Sequence, residues 1–181
     1  AQNLFFTGNQ SIYVPSFENA SVNIKLANES ILLDETTDYP FGNEVNFTVK
    51  ETSLSFAPGI KLLAPKWIQN PEVFINGKKT PINLENGFIC FTQKLNNGDQ
   101  ISYRFEQKSG VEKLENSNSL AGYHKYFYGP LILGHKGKEE IRLSQQVQFE
   151  LKGNKTFGLK NDNQQFIPVY HLLNPEVRKE E

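Results

Sequence analysis

Three Asn-Gly pairs, spaced ten or eleven residues apart, constrain the fold of this chain more than any other feature of its sequence. They are Asn76-Gly77, Asn86-Gly87 and Asn97-Gly98, and each lies between runs of apolar, β-branched or aromatic residues. Both residue types tolerate a positive φ angle, which the tight turns of β-hairpins require. Three such pairs in succession therefore predict an antiparallel meander in an all-β fold.

Apolar and polar residues alternate with a period of two in several other parts of the chain. The repeating groups are Val22/Ile24/Leu26, Val45/Phe47/Val49, Ile101/Tyr103/Phe105 and Val147/Phe149/Leu151. This pattern is typical of half-buried antiparallel strands, with one face on a core and the other in water. Turn clusters rich in Gly, Pro and Asn separate about eleven to thirteen short strands. We predict an antiparallel, jelly-roll-like β-sandwich.

The composition changes near Gln107, which suggests a division of the chain. The segment 108–119 is rich in Asn, Ser and Glu, and it predicts a long loop. Residues 1–107 are expected to form one sandwich. Residues 108–181 either add strands to that sandwich or form part of a second one, and the pattern leaves both possibilities open. The polar end, 174–181, is expected to be a frayed tail.

Bulk composition excludes several classes of protein. The chain has 181 residues, of which 38% are hydrophobic and 22% charged, as in ordinary globular domains. A formal net charge of −1 lacks the basic excess of nucleic-acid binders, so no nucleic-acid partner is expected. No segment approaches the roughly 20 apolar residues that span a bilayer, so no membrane span is expected. The absence of Met and the start at Ala1 suggest a processed product or a piece of a longer protein.

The sequence offers no recognisable catalytic or metal-binding motif. Cys90 is the only cysteine, and its place in an apolar run predicts a small buried side chain rather than a nucleophile. His124, His135 and His171 are isolated from one another and from any Glu-Xaa-Xaa-His pattern. Phosphate loops, nucleophile elbows and dinucleotide fingerprints are absent. We therefore expect no catalytic residue, no metal and no cofactor in this chain.

Two pairs of neighbouring carboxylates could suggest glycoside hydrolysis, which uses two carboxyl groups beside one bond. They are Asp34-Glu35 and Glu139-Glu140. Adjacent residues on a strand point to opposite faces of the sheet, so neither pair can face one substrate without a bulge. We predict that these side chains are solvated surface charges.

Aromatic residues give the best candidates for carbohydrate contact, because their faces stack on sugar rings. The densest aromatic segment is 123–128, and the chain has a single tryptophan. The candidate contact residues are Trp67, Tyr123, His124, Tyr126 and Tyr128. The alternative is packing. Tyr126 and Tyr128 would then share one face of a strand with Phe127 on the other, and Trp67 would plug the core or a domain interface.

A series of short motifs carries a family resemblance. In chain order they are Ile12-Tyr13-Val14-Pro15-Ser16, Thr37-Asp38-Tyr39-Pro40-Phe41, Leu62-Leu63-Ala64-Pro65-Lys66-Trp67, Ile75-Asn76-Gly77-Lys78, Gly87-Phe88-Ile89, Asn97-Gly98-Asp99-Gln100-Ile101, Gly129-Pro130-Leu131-Ile132-Leu133 and Phe166-Ile167-Pro168-Val169-Tyr170. Their order resembles the region after the catalytic barrel of β-L-arabinofuranosidase-like glycoside hydrolases (glycoside hydrolase family 127 and relatives). The chain departs from the family pattern at two positions, with Lys66 in place of a Gly and Tyr128 in place of an Arg. These departures indicate a distant relative.

The resemblance implies that the chemistry belongs to a preceding helical barrel, where a metal-bound cysteine acts beside glutamates. This chain would then be a non-catalytic accessory domain that supports the barrel of a parent hydrolase in polysaccharide degradation. Glycans that contain arabinose are the first expectation, in a secreted or periplasmic bacterial protein. Two alternatives stay open: a stand-alone carbohydrate-binding module, and an adhesin-like interaction domain. A homodimer paired through an exposed strand edge is a further expectation.

Overall fold

The computed structural model describes residues 5–113, 124–135, 143, 147–159 and 164–172. Nearly all of these residues lie in strands or in the turns between them, so the predicted all-β fold is confirmed. The chain divides into two compact units, Ala1–Glu106 and Gln107–Glu181. Among the described residues, no helix has the length and apolar character needed to cross a membrane.

The first sheet of unit 1 contains five strands. They are β1 (Phe6–Gly8), β2 (Ser11–Val14), β6 (Gly59–Leu63), β9 (Asn83–Glu85) and β10 (Phe88–Thr92). Their order is β1-β2-β6-β10-β9. All neighbours are antiparallel except β2 and β6, which run parallel and depart from the predicted all-antiparallel pattern. Alternate residues face inward and are buried: Ile12, Val14, Ile60, Leu62, Ile89 and Phe91.

The second sheet of unit 1 contains six strands and completes the sandwich. They are β3 (Ala20–Leu26), β4 (Glu29–Thr37), β5 (Glu44–Thr52), β7 (Ile68–Ile75), β8 (Lys78–Thr80) and β11 (Gln100–Gln107). Their order is β3-β4-β5-β11-β7-β8. The predicted alternating groups on β5 and β11 are buried, namely Val45, Phe47, Val49, Ile101, Tyr103 and Phe105. They share one continuous hydrophobic core with the inward residues of the first sheet.

Two of the three Asn-Gly pairs form the predicted hairpins. Asn76-Gly77 joins β7 to β8 and Asn86-Gly87 joins β9 to β10, with positive φ at all four residues. The third pair, Asn97-Gly98, lies between β10 and β11, which belong to different sheets. The predicted continuous meander is therefore wrong.

Hydrogen bonds to β5 explain the different behaviour of the third pair. The Gly98 N–H donates to the carbonyl of Val49 at 2.8 Å. The Asn97 side chain accepts a bond from the Thr52 N–H, also at 2.8 Å. These contacts tie the turn to the opposite sheet, so the chain crosses the sandwich instead of returning beside β10.

The described part of unit 2 forms a single antiparallel sheet with a short helix. The elements are β12 (Ser109–Lys113), β13 (His124–Tyr128), β14 (Leu131–His135), β15 (Phe149–Gly153), β16 (Thr156–Leu159), β17 (Gln165–Pro168) and α1 (Val169–Leu172). The strand order is β12-β13-β14-β17-β16-β15. Its buried apolar residues are Phe127, Tyr128, Leu131, Leu133, Phe149, Phe157, Phe166 and Ile167.

Unit 2 also departs from the sequence predictions in two places. The first part of the predicted loop 108–119 forms β12, because its backbone pairs with β13 despite its polar composition. The strand predicted over 147–151 begins only at Phe149, and Leu151 is 40% exposed. The motif Phe166–Tyr170 is a strand only as far as Pro168, which has no N–H to continue a ladder. The predicted frayed tail, 174–181, lies outside the described residues.

A substitution at Gly77 tests how much the first hairpin turn contributes to the free energy of unfolding. Its φ is +78°, and a Cβ added there would meet nothing within 4 Å. Gly77→Ala should therefore lower the free energy of unfolding by about 1 kcal/mol through backbone strain alone. Gly8→Ala is the matched control, because a Cβ there meets only the Tyr13 ring at 4.0 Å. Urea denaturation of both variants measures the difference, and equal midpoints would contradict the prediction.

Candidate functional site

Trp67 packs against another aromatic ring in unit 1. It follows β6 in a tight turn, in which the Ile68 N–H donates to the Pro65 carbonyl at 2.9 Å. The indole stacks on Tyr39, with 6.0 Å between ring centroids and 20° between the planes. Tyr39 in turn meets the buried Phe17 edge-to-face at 5.4 Å. Burial raises the pKa of the Tyr39 hydroxyl to about 12. Trp67 thus extends the aromatic core toward the surface and remains partly exposed.

The variant Trp67→Ala distinguishes a packing role of Trp67 from a role in carbohydrate contact. Loss of the stacked ring should lower the free energy of unfolding by about 1–2 kcal/mol, since an aromatic pair stabilises beyond its buried area. We expect the mobility of the wild-type chain in gels containing arabinan, xylan or pectin to match that in plain gels. Retardation that disappears in the variant, without a loss of stability, would instead make Trp67 a sugar contact.

Three other candidates, His124, Tyr126 and Tyr128, lie on β13 in unit 2. Tyr126 is partly buried and meets the rings of Phe149 and Phe166, each at 6.0 Å. Tyr128 is 8% exposed, and its ring centroid lies 4.9 Å from that of Phe157. His124, at the start of the strand, is exposed. Tyr123 lies outside the described residues. Carbohydrate contact at these positions stays a prediction.

The neighbouring carboxylates Asp34 and Glu35 have opposite surroundings on β4. Asp34 faces outward, and its carboxylate lies 3.1 Å from the Lys50 ammonium. Hydrogen bonds from Ser21 and Lys50 lower the pKa of Asp34. Glu35 faces the interior and is 1% exposed, so the prediction of a solvated surface charge is wrong for this residue. The pair Glu139-Glu140 lies outside the described residues.

Among the described residues, Glu35 is the buried charged side chain of the sandwich core. Its Oε1 accepts a hydrogen bond from the Glu18 N–H at 3.0 Å. Its Oε2 has no hydrogen-bond partner among the described residues. Burial is the main cause that raises the pKa of the Glu35 carboxyl to about 8. The hydrogen bond from the Glu18 N–H lowers this pKa, and the Glu18 carboxylate raises it further. A neutral carboxyl held this way, with its one hydrogen bond made to backbone, favours a structural role over an acid–base role.

Cys90 differs from the buried side chain that the sequence predicts. It lies on the outward face of β10 and is partly exposed. Partial burial is the main cause that raises the pKa of the thiol, and the nearby Glu85 carboxylate raises it further. A raised pKa reduces the thiolate fraction, which disfavours nucleophilic chemistry. Within the described ranges, no group of three or more His, Cys, Asp or Glu side chains is placed to hold a metal.

Two polar depressions occur on the surface of unit 1, with volumes of about 320 and 360 Å³. One lies around the turn between β4 and β5, and the other lies along β3, β4 and β5 beside Asn97. Their linings consist mainly of Asn, Thr, Ser and acidic side chains. Neither lining contains an aromatic ring on which a sugar could stack, so we place no candidate site there.

Two features of unit 1 escaped the sequence reasoning. Glu35 continues the inward series Ile31 and Leu33, so period-two alternation along β4 could have predicted its burial. The outward residues Tyr13 and Phe88 come from strands far apart in sequence, and their rings lie 5.8 Å apart. That contact depends on the β2–β6–β10 strand order, which local pattern does not reveal.

The fold and these residues define a class of protein: a two-sheet β-sandwich, followed by a second β-rich unit, with aromatic and acidic residues used mainly in packing. The family model of the β-L-arabinofuranosidase GH127 middle domain matches residues 11–107, and the chain belongs to this family. The family indicated by the sequence motifs is thereby confirmed. A comparison with curated proteins found no match.

Solved structures show the same fold at low sequence identity. A GH127 β-L-arabinofuranosidase from Geobacillus stearothermophilus T6 is 17% identical to this chain, with a TM-score of 0.71. The match covers 96% of this chain and 33% of the arabinofuranosidase chain. A glycoside hydrolase is 15% identical with a TM-score of 0.74, covering 94% and 35%. A GH127 β-arabinofuranosidase is 14% identical with a TM-score of 0.66, covering 95% and 34%. The chain thus spans about a third of the length of these relatives.

Proposed function

We propose that this chain is a non-catalytic accessory region of a larger glycoside hydrolase, in which it supports the catalytic domain. The match of the GH127 middle-domain model to residues 11–107 carries the proposal, because that range coincides with the sandwich core. Under this proposal, the catalytic domain is the helical barrel implied by the motif resemblance, and it lies elsewhere in the parent polypeptide.

The chemistry of the described side chains supports a structural role. Asp34, Glu44 and Glu72 are engaged in ion pairs on the surface. Glu35 is buried against the backbone of the segment between β2 and β3. These carboxyl groups therefore serve local structure.

The substrate and location follow from the same proposal. The relatives are named for β-L-arabinofuranosidase activity, so the parent would release arabinofuranose from plant or host polysaccharide. Such polymers lie outside the cell, which agrees with a secreted or periplasmic bacterial protein. The substrate is inferred from the shared fold and family, and turnover of an arabinofuranoside by the parent tests it.

The test compares the isolated 181-residue chain with its parent polypeptide on p-nitrophenyl β-L-arabinofuranoside. We expect turnover by the parent and no turnover above buffer by the chain alone. Deletion of the chain from the parent should lower its thermal midpoint and its activity together. Cys90→Ser in the parent is the control, and it should leave kcat unchanged because Cys90 is not the nucleophile. Turnover by the isolated chain would overturn the proposal.

A further inference from the structure

The outer faces of the two sheets in the sandwich differ in chemistry. The six-stranded sheet presents polar cross-strand pairs: Asp34 with Lys50 at 3.1 Å, Glu44 with Arg104 at 3.0 Å, and Ser102 with Asn46 at 2.6 Å. An antiparallel sheet that faces water normally carries residues of this kind. Phe74 also lies on this face, where the Arg104 guanidinium covers its ring at 4.9 Å, so the face stays predominantly polar and suited to solvent.

The five-stranded sheet presents a different surface, which we call the aromatic face. It consists of Phe6, Tyr13, Lys61, Phe88 and Cys90. The pairing registers bring Phe6, Tyr13, Lys61 and Cys90 into one row across four strands, with Phe88 two residues from Cys90. The strand neighbours of Tyr13, Lys61, Phe88 and Cys90 are buried in the core, so these four side chains lie on the outward side. Phe6 is placed on the same side by its pairing with Tyr13.

Three side chains of the aromatic face contact one another. The rings of Tyr13 and Phe88 meet edge-to-face, with 5.8 Å between centroids and 85° between planes. The Lys61 ammonium lies 4.9 Å from the centroid of the Tyr13 ring, so its apolar stem lies along the face. Phe6 is 46% exposed on the edge strand. Tyr13, Phe88 and Lys61 thus form one partly exposed cluster of two rings and a cation, and Phe6 lies beside it in the register.

The surroundings of the aromatic face resemble the rim of a protein interface. On the edge strand β9, Asn83 and Glu85 lie beside Cys90 and Phe88 in the register and are exposed. Protein interfaces combine an apolar, aromatic-rich centre with a polar rim. Contiguous exposed apolar patches on sheets mark binding surfaces more often than isolated apolar residues do.

The length of the relatives indicates what covers this face. The chain covers 33–35% of the matched structures, and its family model is that of a middle domain, so relatives carry other domains in the same polypeptide. A covalently linked neighbour has an effective concentration of the order of millimolar. A second copy of the chain or a free ligand lacks that advantage.

We infer that the aromatic face is the surface on which a covalently linked neighbouring domain of the parent polypeptide docks, an inference that rests on the proposed function. The neighbour would present apolar side chains to Tyr13 and Phe88. It would also present a carboxylate or carbonyl oxygen to Lys61, in addition to the hydrogen bond that Lys61 already makes to the Tyr13 side chain, because a buried charge needs further partners. The polar outer face of the six-stranded sheet stays in solvent.

Cys90 provides a reporter within the aromatic face. The test measures alkylation of Cys90 by iodoacetamide at pH 8.5 in the isolated chain and in the parent, using peptide mass spectrometry to isolate this thiol. We expect alkylation in the parent to be at least about tenfold slower than in the isolated chain. Equal rates in the two proteins would overturn the inference. Slow alkylation in the isolated chain at every concentration would also overturn it, because the chain itself would then cover the thiol.

Variants in the parent locate the contact. Phe88→Ser should restore Cys90 alkylation toward the rate of the isolated chain, and Phe6→Ser, on an exposed edge position, should do so in part. Thermal unfolding of the isolated Phe88→Ser chain checks that the sandwich still folds, and Phe6→Ser carries the test if it does not. Lys50→Ser, on the polar outer face, is the matched control and should leave the rate unchanged.

The outcomes separate this inference from the proposed function. If deletion of the chain destabilises the parent while Cys90 stays reactive, the accessory role holds and a different surface makes the contact. Protection of Cys90 that appears only in concentrated solutions of the isolated chain would assign the aromatic face to a homodimer and overturn the inference.

Discussion

Tyr103→Ala should lower the free energy of unfolding of this chain by about 3–5 kcal/mol. Tyr103 is fully buried at the centre of the sandwich, with its ring 5.0 Å from Phe105 and 5.8 Å from Phe17. Alanine would leave a cavity that the surrounding strands fill only in part, so the loss combines transfer and cavity contributions. Urea denaturation followed by far-UV circular dichroism measures the change.

Tyr103→Phe is the matched control for this cavity. It keeps the ring and removes only the hydroxyl, which donates to the Leu63 carbonyl at 3.3 Å. We expect a loss of about 1 kcal/mol, the usual net contribution of one hydrogen bond. If both variants lost the same stability, the hydroxyl rather than the packed ring would hold the two sheets together at this position.

The stability of the sandwich should fall as the pH rises from about 5 to 8, by up to about 1.4 kcal/mol per pH unit. The folded chain holds the Glu35 proton up to a pKa of about 8, against an ordinary value of 4.5. The unfolded chain releases that proton at the lower value. Between the two values the folded state binds more protons, so raising the pH favours unfolding. Urea midpoints across this range measure the slope.

Two substitutions assign the slope to Glu35. Glu35→Gln keeps the size of the side chain without a titrating group, so its stability should vary less than that of the wild type between pH 5 and 8. Asp34→Asn is the control on the neighbouring position. The pKa of Asp34 is lowered from 3.8, so its titration lies below this range and the slope should persist. A wild-type slope retained in Glu35→Gln would show that another group titrates.

Local pattern predicted most of the strands in unit 1 because burial on one side imposes a period of two. Val45, Phe47 and Val49 follow that pattern without interruption, as do Ile101 and its alternate neighbours on β11. Local pattern failed where partners distant in sequence decide the structure. The Asn97-Gly98 turn is fixed by β5, and β12 owes its conformation to pairing with β13.

The candidate site was less predictable than the fold. Aromatic residues that alternate along a strand have the same sequence pattern whether they pack or bind a ligand, and the structure shows extensive packing at Tyr128. The aromatic face combines β2 and β10, whose partner β6 lies between them in the sheet. Its position follows from strand order, which requires the long-range contacts of the folded chain.

The path of the chain between the two sheets has a consequence for how the domain folds. After β7 and β8 the chain leaves the six-stranded sheet to form β9 and β10, and then returns to insert β11 between β5 and β7. Each hairpin can form early and alone, but neither sheet can be completed until the other has been started. Because such pairings close long loops, we expect one slow, concerted transition rather than stepwise addition of hairpins. Stopped-flow refolding should therefore show the two sheets acquiring structure at the same rate.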